Sequence, residues 1–388
     1  MRLNLRGIST LLALAAAFVG NAQNNAGSIN VVTSAVPFLR ISPDARAGGM
    51  GDLGLATSPD VNNMFWNLAK TPFNTSKSGI AVTYTPWLRD IGVGDVFLAS
   101  LAGYYKPDEQ SAFSGGFRFF SLGDIQFTDF FGNNLSTGKP TELAVDLGYS
   151  RKLSEKLAVG AALRYINSNL ARGLPINSGV DYRAGTTVAG DISLFYDGTN
   201  EIGKGFRFGA AMSNLGGKIG YTNNNTERDY IPSNLGIGVS HTSVFDEQNK
   251  LMFGLDVNKL MVPTPPRITG DNDVDEQALF EYRNKGVVQS WFSSFGDAPG
   301  GFSEEMQEFT ISAGAEYSYQ EQFFVRAGYF FENPNKGNRK YVTAGFGIKY
   351  NTFMLDFSYL VPSGSGTNRN PLSNTLRFCL SFDLDPAQ

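Results

Sequence analysis

Near the C-terminal end, Leu376, Phe378, Leu380, Phe382 and Leu384 alternate with Thr375, Arg377, Cys379, Ser381 and Asp383. Strict alternation puts the first set on one face of an extended strand and the second set on the other. The pattern recurs: Val342, Ala344, Phe346, Ile348 and Tyr350 stand against Thr343, Gly345, Gly347 and Lys349. Likewise Phe309, Ile311, Ala313, Ala315 and Tyr317 stand against Thr310, Ser312, Gly314 and Glu316, and Phe353, Leu355, Phe357 and Tyr359 against Asp356 and Ser358. A soluble β-sandwich also alternates, but these segments run to about ten residues where soluble strands average about five to six. A tilted strand of about that length crosses an outer membrane, with lipid on the bulky face and a polar lumen behind the other. The sequence therefore predicts an all-β fold, a 14-stranded antiparallel transmembrane β-barrel of the outer membrane. A soluble all-β protein is the alternative.

The fourteen expected strands are 78–88, 94–106, 111–122, 141–153, 156–168, 187–197, 204–216, 233–243, 249–260, 309–320, 322–332, 341–351, 353–361 and 374–384. Short turns such as "PDEQ", "SE", "DEQ" and "NT" alternate with long links at 123–140, 169–186, 217–232, 261–308 and 362–373. Outer-membrane barrels have that asymmetry, with tight periplasmic turns and long loops outside. The link around Arg89 to Val93 is short and breaks the rule once. An even strand count places both termini in the periplasm.

Arg2 and Arg6, an apolar run from Ile8 to Val19 and small Gly20 and Ala22 have the layout of a secretory signal peptide over residues 1–22, cut ahead of Gln23. No Cys follows the cut, so a lipid anchor there is not expected. Composition fits the barrel: 44 Gly, 31 Phe and only 18% charged residues, with a net charge of −4 and no basic cluster to suit nucleic acid. The single Cys379 forms no internal disulfide, and the single His241 leaves no multi-histidine metal site. No cofactor is expected.

Residues 23–77 precede the barrel proper (78–388) and carry Val31, Val32, Val36, Phe38, Leu39, Met50, Leu53, Phe65 and Trp66, too apolar for a free tail. Glycines at 48, 49, 51 and 54 permit tight turns. The segment is expected to fold into the lumen as a plug built on Asp44, Arg46, Asp52, Trp66 and Asn67, with a flap packed beneath the barrel as the alternative. Asp44, Arg46 and Asp52 would then pair with lumen groups such as Arg164, Arg326, Asp356 and Arg377.

The stretch "RISPDARAGGMGDLGLATSPDVNNMFWNLAK", Arg40 to Lys70, resembles the N-terminal signature of the PorV (LptO) family, barrel subunits of the type IX secretion system of Bacteroidetes. That family is similar in fold to the FadL family of fourteen-stranded fatty-acid channels with an N-terminal hatch. Where the wider family has Asn-Pro-Ala, this chain has Asn67-Leu68-Ala69, a departure that bears on hatch gating. The resemblance implies a non-enzymatic role. Such proteins bind the C-terminal signal domain of secreted cargo beside a large outer-membrane translocon barrel and carry it to a surface attachment complex with a sortase-like protein. The expected partners are therefore the translocon, the cargo signal domains, the attachment protein and outer-membrane lipid, with a FadL-like passive channel for hydrophobic solutes as the alternative function.

No enzyme constellation is present: His241 stands at a strand end, and neither a Gly-x-Ser-x-Gly elbow nor a phosphate loop with its Lys occurs. The deacylase activity that the name LptO records has no residues here to support it. "DNDVDE", Asp271 to Glu276, lacks the Gly and distal Glu of a calcium loop and reads as a solvated acidic loop. The link 261–308 reads as a long structureless loop, stiffened by "PTPP" and carrying Val287, Val288, Trp291, Phe292 and Phe295. An exposed aromatic group on the cell-surface side suits a partner, or else folds back as a lid. Phe127, Phe130 and Phe131, then Tyr221 and Tyr230, are secondary candidates.

Overall fold

A computed structural model describes residues 29–88, 94–173, 182–223, 228–361 and 374–386. The expected signal peptide and the short link at Arg89 to Val93 lie outside the described residues. Fourteen antiparallel strands close into a barrel. They are β1 (Ser76–Pro86), β2 (Val96–Tyr105), β3 (Ser111–Leu122), β4 (Thr141–Lys152), β5 (Leu157–Asn169), β6 (Gly185–Asp197) and β7 (Gly205–Gly216), followed by β8 (Asn234–Val244), β9 (Asn249–Leu260), β10 (Phe309–Tyr319), β11 (Phe323–Phe331), β12 (Lys340–Tyr350), β13 (Phe353–Val361) and β14 (Leu376–Pro386). Each strand pairs with its sequence neighbours, and β1 closes on β14 through pairs such as Val82 with Leu380.

The alternation in the sequence sorts by face. Ile80, Val82, Tyr84, Phe346, Phe378 and Phe382 point outward and are exposed, while Thr83, Arg118, Asp146, Arg326 and Arg377 point inward and are buried. A Lys or Arg on the outward face at mid-membrane would cost roughly 2–4 kcal/mol, so the charges collect in the lumen. Outward aromatics gather towards the short-turn end (Tyr105, Phe113, Tyr149, Phe206, Tyr350 and Phe353), as a membrane interface favours. His241 belongs to this outer face, its ring 4.3 Å from that of Phe206.

Strand registers remove one-residue uncertainties. β1 starts at Ser76 and β14 runs to Pro386, two residues beyond the expected spans. Two small hairpins absent from the sequence expectation decorate the long links, Ile125–Thr128 with Asn134–Gly138 and Ile219–Gly220 with Arg228–Asp229.

The link 261–308 corrects the expectation of a structureless loop. It contains helices α2 (Asn272–Asn284), α3 (Val287–Ser293) and α4 (Phe302–Glu305). The run "DNDVDE" is the beginning of α2 and not a solvated loop. Asp271 is the N-cap and accepts from the amides of Asp273 and Val274, and Asp275 accepts from Thr269 and Gly270. Acidic residues suit a helix start because they satisfy orphan amides and complement its dipole.

The chain ahead of β1 threads the ring of strands from one rim to the other. Asn30 donates to Asn335 in the β11–β12 link, and Ala35 to Tyr230 in the β7–β8 link, both at the long-link rim. Asn74 lies at the opposite, short-turn rim, where its carbonyl accepts from Lys106. The even strand count brings the ends of the barrel wall to one rim, but the described N-terminal residues begin at the other. An even count governs strands alone, and a segment that crosses the lumen reverses the side.

Candidate functional site

Between the rims this segment folds as short turns: helix α1 (Ala45–Gly48) and 3-10 turns at Val61–Phe65 and Leu68–Phe73. Asp44 caps α1 through the Ala47 amide at 2.8 Å and accepts from the Trp66 indole at 2.5 Å. It therefore organises the segment itself and, among the described residues, pairs with no wall arginine. Asn67 does the same at the next turn. Its amide donates to the carbonyls of Leu55 at 2.9 Å and of Leu194 on the wall at 3.0 Å, and its oxygen accepts from Ala69.

Arg46 carries the main polar contact with the wall. Its guanidinium makes two bonds to Glu316 at 3.0 and 2.8 Å and a third to Asp60 at 2.8 Å. Glu316 also accepts from Arg326 at 2.6 Å, and Arg326 reaches Asp356 at 2.6 Å. The two-pronged geometry is the strongest a guanidinium and a carboxylate offer. Glu316 was missing from the expected partners, although its place on the small, polar face of its strand marked it as lumenal. Asp52 accepts from Tyr341 at 2.5 Å and stands 3.8 Å from Arg377. Asp256 receives the amides of Gly54 and Leu55 at 2.8 and 2.9 Å. Arg164 pairs instead with Asp146 and Asp191 within the wall. Around these bonds the backbones nearly touch: a Cβ on Gly345 would lie 3.0 Å from the Gly49 Cα.

The lumen holds a cavity of about 130 Å3 on the long-link side of the segment, lined by Leu39, Trp66, Arg118, Asn214 and Phe330 among others.

Above the rim, α2–α4 form a cap rather than a loose loop. Lys218 and the hydroxyl of Tyr230 donate to carbonyls at the C-terminal end of α2. The cap's far end is held by buried ion pairs, Lys259 with Glu305 and Glu308, and Lys336 with Glu304 and Glu308, at 2.6 to 2.9 Å. Glu304 lies below the usual carboxylate range: burial pushes it up, but the Lys336 ammonium outweighs that. On this frame Val288, Phe292 and Phe295 are exposed, Phe292 by 72%, while Val287 and Trp291 are half-buried. Phe130 is 98% exposed at the tip of the other hairpin, with Phe131 beside it edge to face. Tyr221 and Tyr230 differ from the expectation, because their hydroxyls are engaged internally with Ser168 and with α2.

The sequence matches the family described as type IX secretion system protein PorV over residues 22–267. No curated protein matches at a significant level. Among solved structures, the chain is similar to a TodX deltaS2S3 mutant monoaromatic hydrocarbon channel, with a TM-score of 0.53 and 14% identity over 88% of this chain and 98% of that one. The CymD monoaromatic hydrocarbon channel gives a TM-score of 0.51 and 14% identity over the same shares. At such identity the likeness establishes the barrel fold alone. The family match covers more than half of the chain and includes the whole lumenal segment, so the chain belongs to the PorV family of type IX secretion system proteins, as an outer-membrane barrel component of that system.

Proposed function

We propose that this protein is a non-enzymatic binding subunit that holds the C-terminal signal domain of secreted cargo beside the translocon barrel and passes it to the cell-surface attachment complex. The long-link rim faces outward in this reading, and both ends of the barrel wall face the periplasm. The observation that carries it is the cap. An exposed apolar face of Val288, Phe292 and Phe295 lies on α3 and the turn after it, between the Asp271-capped α2 and the ion-paired α4. A rigid aromatic surface loses little entropy on binding, which is how such residues come to dominate protein interfaces. The di-phenylalanine tip at Phe130 and Phe131 offers a second contact. The lumenal segment acts as a plug, which keeps the barrel closed while cargo is handled outside it.

The test is extraction of tagged protein from its own membrane with and without the paired substitutions Trp291→Ser and Phe292→Ser. The unaltered chain should bring down a very large barrel or proteins sharing a C-terminal domain, and the variant should lose them while its barrel stays folded. Retention of the partners by the variant would exclude the cap as the contact.

A passive channel for hydrophobic solutes draws on the apolar side of the lumenal cavity, Leu39, Trp66 and Phe330. Mass spectrometry that finds a hydrophobic molecule in the purified barrel would favour that reading.

A further inference from the structure

The last part of the cap straddles the rim: Glu304 accepts from Asn30 at the mouth and Glu308 lines a small pocket with Val32 and Arg40, while the opposite side reaches the wall. Alternation along β9 turns Lys259 to the outer wall, between inward Asn258 and Leu260, and its register partner on β10 is Phe309. Lys259 is nevertheless only 1% exposed, because Phe295, Glu305 and Glu308 cover it from the cap. The chain from Phe295 to Glu308 therefore also covers the outer side of the rim at β9 and β10, where Val257 and Ile311 follow Lys259 and Phe309 along the same outward faces.

Chemistry sorts the two sides of that stretch. Glu304, Glu305 and Glu308 all turn inward and are paired with Lys259, Lys336 or Arg267. The exposed residues between Ala298 and Glu308 are Pro299, Gly300, Gly301, Phe302, Ser303 and Met306, none of them charged. Phe302 is 80% exposed and Met306 52%, four residues apart on one side of the α4 turn. A bulky apolar pair with every nearby carboxylate withdrawn behind it suits the headgroup–acyl boundary, where aromatic side chains concentrate.

We propose that Phe302 and Met306 are a membrane foot: they insert into the outer-leaflet interface next to β9 and β10 and rest the cap on the lipid. The contact continues the barrel's own lipid-facing belt through Phe309 and Ile311, and it needs no protein partner.

The test places a nitroxide on single cysteines at Phe302, Ser303, Ile311 and Asp273 in the full barrel, reconstituted in phosphatidylcholine vesicles without any other protein. Relaxation by oxygen, which concentrates in lipid, is compared with relaxation by a water-soluble nickel chelate. Phe302→Cys should follow Ile311→Cys, with oxygen dominant several-fold over its ratio at Asp273→Cys on α2. Ser303→Cys, which leaves both apolar side chains in place, should read between them. Nickel-dominated relaxation at both 302 and 303, matching 273, would overturn the proposal. Since no partner is in the vesicle, this outcome is independent of whether the cap binds cargo.

Discussion

Glu316 is the residue on which the lumenal segment turns. It joins Arg46 from the segment, through two bonds, to Arg326 from the wall, through one. Removing one member of a buried pair leaves an uncompensated charge and costs roughly 3–5 kcal/mol. Glu316→Gln should therefore free residues 44–60 to exchange their amide hydrogens while the strands stay protected, and hydrogen-exchange mass spectrometry reads this directly. Unchanged protection would mean that the close backbone contacts hold the segment unaided. At the rim, Glu304 and Glu332 titrate below the usual range, since burial is outweighed by Lys336 in one case and by Arg339 in the other. A depressed carboxylate stabilises the folded rim fully above its unfolded pKa of about 4.3 and loses that contribution as pH falls through the folded value. With Trp66 and Trp87 replaced by Phe, the emission of Trp291 should be constant from neutral pH down to about 5 and shift to the red only below about 4. Glu316 was legible only as a polar residue on a lumenal face, because its partner lies 270 residues away in the chain.

At the scale of elements, the strands were readable because each needs only its own period of two. The outward Phe and Leu of β14 and the inward Arg377 and Asp383 settle both its face and its register. The helical cap was not readable in the same way. α2 begins in "DNDVDE", whose charges look solvated in isolation, and its C-terminal end is completed by Lys218 and Tyr230 from another link. Its hairpins and caps depend on contacts between links that no local pattern records. The lumenal segment lies between these cases: its glycines and apolar residues announced a compact fold, but its passage from rim to rim did not follow from strand parity. Gly345 tests that packing. Its outward neighbours Ala344 and Phe346 would be untouched by Gly345→Val, yet the new Cβ would press on Gly49. Overpacking of this kind costs roughly 1–3 kcal/mol. Limited proteolysis should then cut within residues 44–75 in an otherwise intact barrel, whereas resistance equal to the parent would show that the segment yields without leaving.

At the scale of the molecule, a closed wall, a lumen occupied by its own N-terminal segment and an apolar cap are the features on which the proposed binding role at the long-link rim rests. The fold is shared with hydrocarbon channels, and the fold by itself does not choose between transport and binding. What favours binding for this chain is its exposed apolar cap together with membership of the PorV family. The central claim is that the cap meets protein partners of the secretion system. The most direct measurement is a photo-reactive amino acid at Phe292 in living cells, followed by identification of what it captures. The account predicts crosslinks to the translocon barrel or to the C-terminal domain of secreted cargo, and their loss in a strain without secretion. Crosslinks to lipid alone, or to the barrel's own rim, would contradict it.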